Sequence, residues 1–307
     1  MKEPFFSIVT TAYNKEKYIK QCISSIINQT CGDFELIIAD DCSSDNTLNI
    51  IENFSDKRIK IIKMPQNIGV SHLRNKGLKC ANGKYILFAD TDDMLENTLL
   101  ERAKTELLKC QSDILFFPYK YYIEEKNLLK RNNSRRALKI LRKFKKPFSV
   151  EEAGKELFNV NYEVWNKVFK REFLIGNEIF FKEDLNFSED FVFYCDVLNK
   201  AKSASYLNKA GYYYRFFAQK KFEKEKVIEQ FKKAFAYARI PVETKWGKEF
   251  YDKKICSILN YWIVKLNYDK DLCRFAEEIC AKGSTLHPKS KCKKIFYKLY
   301  YKIKNAL

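Results

Sequence analysis

The first hundred residues alternate short apolar runs with amphipathic stretches of helical period, and a chain patterned this way buries its apolar surface as a mostly parallel sheet flanked by helices. Residues 7–11 (SIVTT) predict a first strand. Residues 15–28 repeat apolar side chains at Ile19, Cys22, Ile23, Ile26 and Ile27, one face of a helix. A second strand is expected over 36–39, and Ser44 or Asp45 is placed to cap a second helix running to about Phe54. Residues 59–63 predict a third strand and 70–80 a third helix, and the turn Asn82-Gly83 leads into a fourth strand over 85–89. After Asp93 the alternation decays. A strand is expected over 113–122, shorter ones over 164–169 and 204–207, and helix from about residue 221 onward.

Polar clusters follow strands one, two and four directly. In open α/β sheets ligands collect outside the carboxyl ends of the strands, so Tyr13, Asn14, Asp40, Asp41, Asp90, Asp92 and Asp93 are expected on one sheet edge. Strand one runs into Ala12-Tyr13-Asn14-Lys15, with neither G-x-G-x-x-G nor G-x-x-x-x-G-K-[ST], so the glycine-rich phosphate cradles are absent. A nucleotide bound here needs a metal to neutralise its phosphates. Asp90-Thr91-Asp92-Asp93 sets three carboxylates within four residues, where repulsion is costly unless a cation sits among them. The competing reading is a solvated turn whose Asp caps the next helix. Only His72 and His287 are present and the ten cysteines form no C-x-x-C pair, which leaves oxygen ligands and favours Mg2+ or Mn2+. The scattered cysteines read as reduced packing residues.

The net charge of +18 is concentrated. Residues 126–146 carry ten basic and no acidic side chains, residues 282–307 carry eight lysines and no acid, and the remaining 260 residues balance 39 against 39. In the second segment Ile295, Phe296, Leu299, Tyr300 and Ile303 fall on one helical face, opposite Lys291, Lys294, Lys298 and Lys302. That pattern suits a helix lying in an anionic membrane surface, and equally a terminal helix packed on the domain; periodicity does not separate them. No nucleic-acid-binding motif accompanies either segment. No apolar run approaches the roughly 18 to 20 residues of a membrane span, and residues 1–6 lack the layout of a signal peptide. The expected location is the cytoplasm, peripheral on the inner face of the cell membrane through residues 289–307 and also 126–146.

The ordered motifs resemble glycosyltransferase family 2, the inverting enzymes of the GT-A fold, in their bacterial surface-polysaccharide branch. The resemblance rests on Ser7-Ile8-Val9-Thr10-Thr11-Ala12-Tyr13-Asn14, Asp40-Asp41-Cys42-Ser43-Ser44-Asp45, Asn67-Ile68-Gly69-Val70-Ser71, Arg74-Asn75-Lys76-Gly77 and Asp90-Thr91-Asp92-Asp93. It continues through Trp165-Asn166-Lys167, Ser188-Glu189-Asp190 and Tyr212-Tyr213-Tyr214-Arg215. It implies a GT-A domain over 1–217, with a nucleotide-binding half over 1–105 and an acceptor half over 106–217, followed by a helical basic extension over 218–307.

By the same resemblance Thr11, Tyr13 and Asp41 hold the nucleoside base, Arg74 lies near the nucleotide, Asp92 contacts the ribose or metal region, and Asp93 or Asp92 ligates Mn2+ or Mg2+ on the diphosphate. Asp190 matches the general base. Asp90, Asn67, Trp165, Lys167, Glu189 and Arg215 are supporting candidates, Lys167 or Arg215 as helpers of the leaving diphosphate. The implied reaction takes a sugar from a nucleotide donor, a UDP-sugar, to a hydroxyl of a glycan or lipid-linked acceptor. For Trp165 and the three tyrosines from Tyr212 to Tyr214, packing in the core is the competing reading. Glu189 either shifts the pKa of its neighbour or points away to cap a helix. Cys42 stands where the family has Gly, which says only that this turn need not adopt positive φ. Leu73 replaces a small residue, and a family loop is not recognisable over 216–222. Outside this family, the alternatives are a nucleotidyltransferase on a related sheet and a non-catalytic cationic module binding membrane or nucleic acid.

Overall fold

The computed structural model describes residues 3–131, 139–157, 160–216, 224–238 and 258–259. Strands β1 (Phe6–Ala12), β2 (Phe34–Asp40), β3 (Ile59–Lys63) and β4 (Tyr85–Asp90) pair in parallel in the order β3-β2-β1-β4, joined by α1 (Ile19–Ile27), α2 (Thr47–Glu52) and α3 (Val70–Cys80). The chain continues through β5 (Met94–Leu95), α4 (Leu99–Cys110), β6 (Ile114–Phe116), β7 (Tyr119–Ile123), β8 (Leu128–Arg131), β9 (Phe148–Ser149) and α5 (Val150–Leu157). Then come β10 (Lys167–Lys170), α6 (Arg171–Gly176), α7 (Glu189–Lys200), β11 (Ser203–Tyr206) and β12 (Tyr212–Arg215). The large sheet extends as β4-β10-β6-β11-β9, with β10 antiparallel to both neighbours. A second sheet has the order β5-β12-β7-β8.

Both faces of β1, β2 and β4 are covered, and these strands are buried almost throughout, whereas the edge strand β3 leaves Lys60 and Lys63 exposed. On one face Ile8, Leu36, Ile38 and Leu87 share a buried cluster with Ile19, Ile23 and Ile26 of α1 and Leu99, Leu100 and Ala103 of α4. On the other, α3 lies so close to β1 that a Cβ on Gly77 would overlap Val9. There Phe88 meets Phe181 and Phe193 at ring distances of 5.2 and 5.8 Å. Each such buried side chain is worth about 1.5–3 kcal/mol.

Several local expectations are corrected. Helix α1 starts at Ile19 rather than Lys15, because the preceding residues tie the loop after β1 to the loop after β2: Lys15 N donates to Thr47 Oγ1 at 2.7 Å and Glu16 N to Asp45 Oδ2 at 3.1 Å. Helix α2 ends at Glu52, and at its start Asp45 Oδ1 accepts from Thr47 N at 2.9 Å. The strand expected over 113–122 is two strands in two sheets, separated by Phe117-Pro118, where proline offers no N–H to a ladder. Cys42 has φ of 60°, so the turn after β2 does enter the left-handed region without a glycine.

The chain divides into two compact units, Met1–Lys220 and Lys221–Leu307. In the second, α8 (Lys224–Tyr237) buries Val227, Ile228, Phe231, Ala234 and Phe235 at helical spacing. No described helix is long and apolar enough to cross a membrane. Residues 132–138 of the first basic segment and the whole of 289–307 lie outside the described residues. The described cysteines, Cys22, Cys31, Cys42, Cys80, Cys110 and Cys195, are free thiols.

Candidate active site

Register brings the carboxyl ends of the parallel strands together, with Ala12 opposite Asp40 and Thr11 opposite Asp90. The loops that follow enclose an open cavity of about 610 Å³. Thr11, Tyr13, Asp41, Asn67, Arg74, Asp90, Asp92 and Arg215 contribute to its wall. Asp93, Trp165, Lys167, Glu189 and Asp190 are not part of that wall. Lys15 and Asn186, which motif reading did not single out, are, and so is Tyr214 of the tyrosine run.

At one part of the wall the Asp41 carboxylate accepts from the backbone N–H groups of Ile68 and Gly69, at 2.7 and 2.9 Å. This holds the loop before α3 against the end of β2. Gly69 has φ of 88°, and a Cβ there would overlap the Asn186 amide, so both conformation and space require glycine. Tyr13 is half-exposed. Asp40 is off the wall: its carboxylate accepts from Ser43 N at 3.0 Å and Ser43 Oγ at 2.5 Å, closing the turn that carries Cys42.

Around Asp90 and Asp92, on the wall and behind it, negative charge accumulates. Carboxylate oxygens of Asp90, Asp92 and Asp93 lie within 4.8 Å of one another. Buried Arg74 reaches Asp90 at 3.0 Å, Glu189 at 3.0 Å and Asp190 at 2.7 Å. Burial opposes the Arg74 charge, but Asp190, Asp90 and Glu189 together hold its pKa above the ordinary value. Burial first, then the Asp190 charge, pushes the Glu189 carboxyl up to about 7. Asp90 is raised by burial against the opposing pull of Arg74, and Asp93 is raised well above the carboxylate range by burial and by Asp92 and Asp90. Glu189 therefore faces the guanidinium at the start of α7 and does not point away.

Cations already answer this charge. The Lys15 ammonium lies 2.7 Å from Asp92 Oδ2, and Arg74 occupies Asp90. Side-chain cations meet two of the three clustered carboxylates, while Asp93 Oδ2 is buried without a hydrogen-bond partner among the described residues, and the three together are an all-oxygen donor set that fits Mg2+ or Mn2+. Arg215, 1% exposed, locks the acidic turn through its backbone N to Asp93 Oδ1 and its Nε to the Asp92 carbonyl, both at 2.7 Å. Tyr212 OH accepts from Asp90 N at 2.9 Å.

Two predicted residues serve the scaffold. Trp165 stacks on Tyr212 and Tyr214 at 4.7 and 5.1 Å and meets the edge of Tyr119. Lys167, expected as a helper of the leaving diphosphate, is fully buried, with its ammonium on the carbonyls of Asn161 and Glu163 and on Asn166 Oδ1. Those acceptors can satisfy all three ammonium hydrogens within the fold.

The mixed sheet thus carries an acidic turn at a strand end, beside a cavity of about 610 Å³. A family model, glycosyl transferase family 2, matches residues 7–173, and the chain belongs to that family. EpsJ of Bacillus subtilis, a glycosyltransferase, is 31% identical over 221 residues, 69% of this chain and 61% of that protein. The Staphylococcus aureus poly(ribitol-phosphate) beta-N-acetylglucosaminyltransferase TarS is 29% identical over 213 residues, 68% of this chain. The chain thus matches 61% of the length of EpsJ and 35% of TarS. A structure of TarS residues 1–349 in complex with UDP-GlcNAc superposes with a TM-score of 0.64 at 21% identity, covering 91% of this chain and 88% of that one. The mannosyltransferase PcManGT of Pyrobaculum calidifontis, in complex with GDP-Man and Mn2+, gives 0.60 at 15% identity over 99% of this chain and 86% of its own. At these identities the likeness is one of fold.

Proposed function

We propose that this chain transfers a hexosyl or N-acetylhexosaminyl group, with inversion, from a UDP-sugar to a hydroxyl of a glycan or lipid-linked acceptor. One observation carries the reading: Asp41, Arg74 and the acidic pair Asp90 and Asp92 share the wall of a single cavity at the carboxyl ends of the parallel strands. Residues 1–105 hold the nucleotide in this reading, 106–217 the acceptor, and 218–307 form the basic extension.

Thr11, Tyr13 and Asp41 receive the base. Each Asp41 oxygen already takes one backbone N–H and has a lone pair left for a ring N–H. Asp92, with Asp93 or Asp90, holds a divalent cation, which when bound supplies Lewis-acid stabilisation of the leaving diphosphate. Asp190 is the base that takes the acceptor proton as the hydroxyl attacks the anomeric carbon. Its two oxygens are oriented by Arg74 and by the Val164 N–H, at 2.7 and 3.2 Å. Glu189, titrating near neutral pH, is the carboxyl that keeps a proton, which leaves the Arg74 charge to Asp90 and Asp190.

UDP release from a panel of UDP-sugars, with Mn2+ and with a chelator, tests this. Metal-dependent release from at least one sugar is expected, and absence of both release and UDP binding in the presence of Mn2+ sinks the reading. The setting we propose is surface-polysaccharide synthesis on the inner membrane face. It is supported by the name of TarS and by the basic segments 126–146 and 289–307. Deleting 289–307 is expected to release the protein from anionic vesicles in sedimentation, and unchanged binding would leave 126–146 as the anchor.

A further inference from the structure

We propose that Lys167 is a positioning residue for Asp190, acting through the turn that precedes β10; this rests on the reading of Asp190 as the base. Lys167 opens β10, whose pairing to β6 places Lys167 opposite Phe116 inside the sheet. Its ammonium cannot reach water there. It donates to Asn161 O at 2.6 Å, Glu163 O at 2.6 Å and Asn166 Oδ1 at 2.7 Å, with the Tyr194 ring 4.7 Å away. Charge-assisted bonds to two carbonyls of one short segment fix that segment's path more firmly than neutral bonds would.

The held segment touches the site at two points. Val164, the first residue of the turn Val164–Asn166, donates its N–H to Asp190 Oδ2 at 3.2 Å, while Arg74 takes Oδ1. Its neighbour Trp165 stacks on Tyr214, which is on the cavity wall. One anchor point, Lys167, thus sets both the second hydrogen bond of the base and the flat support of a wall residue. Removing the ammonium frees the carbonyls of Asn161 and Glu163 and lets the Val164 N–H drift. Asp190 is then left oriented by Arg74.

Two variants cut this link in different places. Lys167→Met removes the charge and keeps an unbranched apolar stem. Val164→Pro deletes the donating N–H, and the backbone suits it: Glu163 has φ of −55° and ψ of 136°, the extended form preferred before proline, and Val164 is the first residue of its turn. Both are compared with Asp190→Asn and with the Lys167→Met/Asp190→Asn double variant. The measurements are UDP affinity by calorimetry with Mn2+, steady-state UDP release from the UDP-sugar turned over fastest, and thermal melting.

The expected result is UDP affinity within about twofold of wild type, with kcat for UDP release lowered about ten- to a hundredfold in each single link variant, the loss of one hydrogen bond to a charged group. The double variant should be no slower than Asp190→Asn, because the lysine acts through that carboxylate. Wild-type kcat in a folded Lys167→Met or Val164→Pro protein overturns the proposal, as does a fall in UDP affinity at unchanged kcat, which would put Lys167 on the diphosphate. Additive losses in the double variant also overturn it. Where Lys167→Met fails to fold, Val164→Pro decides alone by the same criterion. Asp190→Asn with near-normal kcat removes the base and this proposal with it, whereas a dead Asp190→Asn beside two active link variants removes only the positioning role.

Discussion

Arg74 and Lys167 are both buried cations of the same unit, and their surroundings are opposite in kind. Arg74 faces three carboxylates at 2.7–3.0 Å, more negative charge than one guanidinium neutralises. Lys167 donates to three neutral oxygens at 2.6–2.7 Å and sits against the rings of Tyr194 and Phe116. The first arrangement is left with unbalanced charge, so it responds to protons and cations. The second is bonded to neutral oxygens, two of them carbonyls of one short segment, whose path it holds. Responsive chemistry and fixed geometry are therefore carried by separate buried cations.

The sharpest way to break this contrast is Asp190→Asn. On the responsive side the amide keeps the size and loses the basic oxygen, so turnover should fall about 10²- to 10⁴-fold while UDP affinity holds. Parallel measurement of both on one sample checks it. Next in size, Asp92→Asn should weaken Mn2+-dependent UDP binding about tenfold or more, read by calorimetry with and without the ion, because a neutral amide replaces a carboxylate that now draws Lys15 to 2.7 Å.

Glu189→Gln sharpens the same comparison through pH. Between the ordinary value of 4.5 and about 7 the folded protein retains a proton that the unfolded chain has lost, so the wild type loses stability as pH rises through that window. The variant should lose this slope, a difference of about 1–3 kcal/mol at its upper end, visible in denaturant melts across the range. A variant with the wild-type slope would clear Glu189 of responsibility. The smallest effect concerns backbone rather than charge. Cys42→Gly should stabilise the fold by about 0.5–1 kcal/mol, since it relieves a left-handed residue at some cost in chain entropy, and thermal melting suffices to measure it.

The parallel half was legible because its information is local. Ile59–Lys63 and Val70–Cys80 match the patterned ranges, and the polar residues after β1, β2 and β4 had to share an edge once those strands were parallel neighbours. Asp41 and Asp92 follow from that alone. The second half was harder to read. Its strands are short, β10 runs against its neighbours, and a proline divides what reads as one strand between two sheets. Lys15 carried a signal that could have been used, since it directly follows the first motif. Asn186 carried none.

What the sequence determined by itself is the alternation of strand and helix and the placing of carboxylates at strand ends, because burial period and turn chemistry act over a few residues. Tertiary structure decided which charges meet. Arg74 pairs with Asp190 across 116 residues, and Arg215 N with Asp93 across 122. Such pairings set whether a charged side chain acts on the cavity or anchors the fold, and they depend on what low-dielectric surroundings each side chain enters once the chain has closed, which no local pattern encodes.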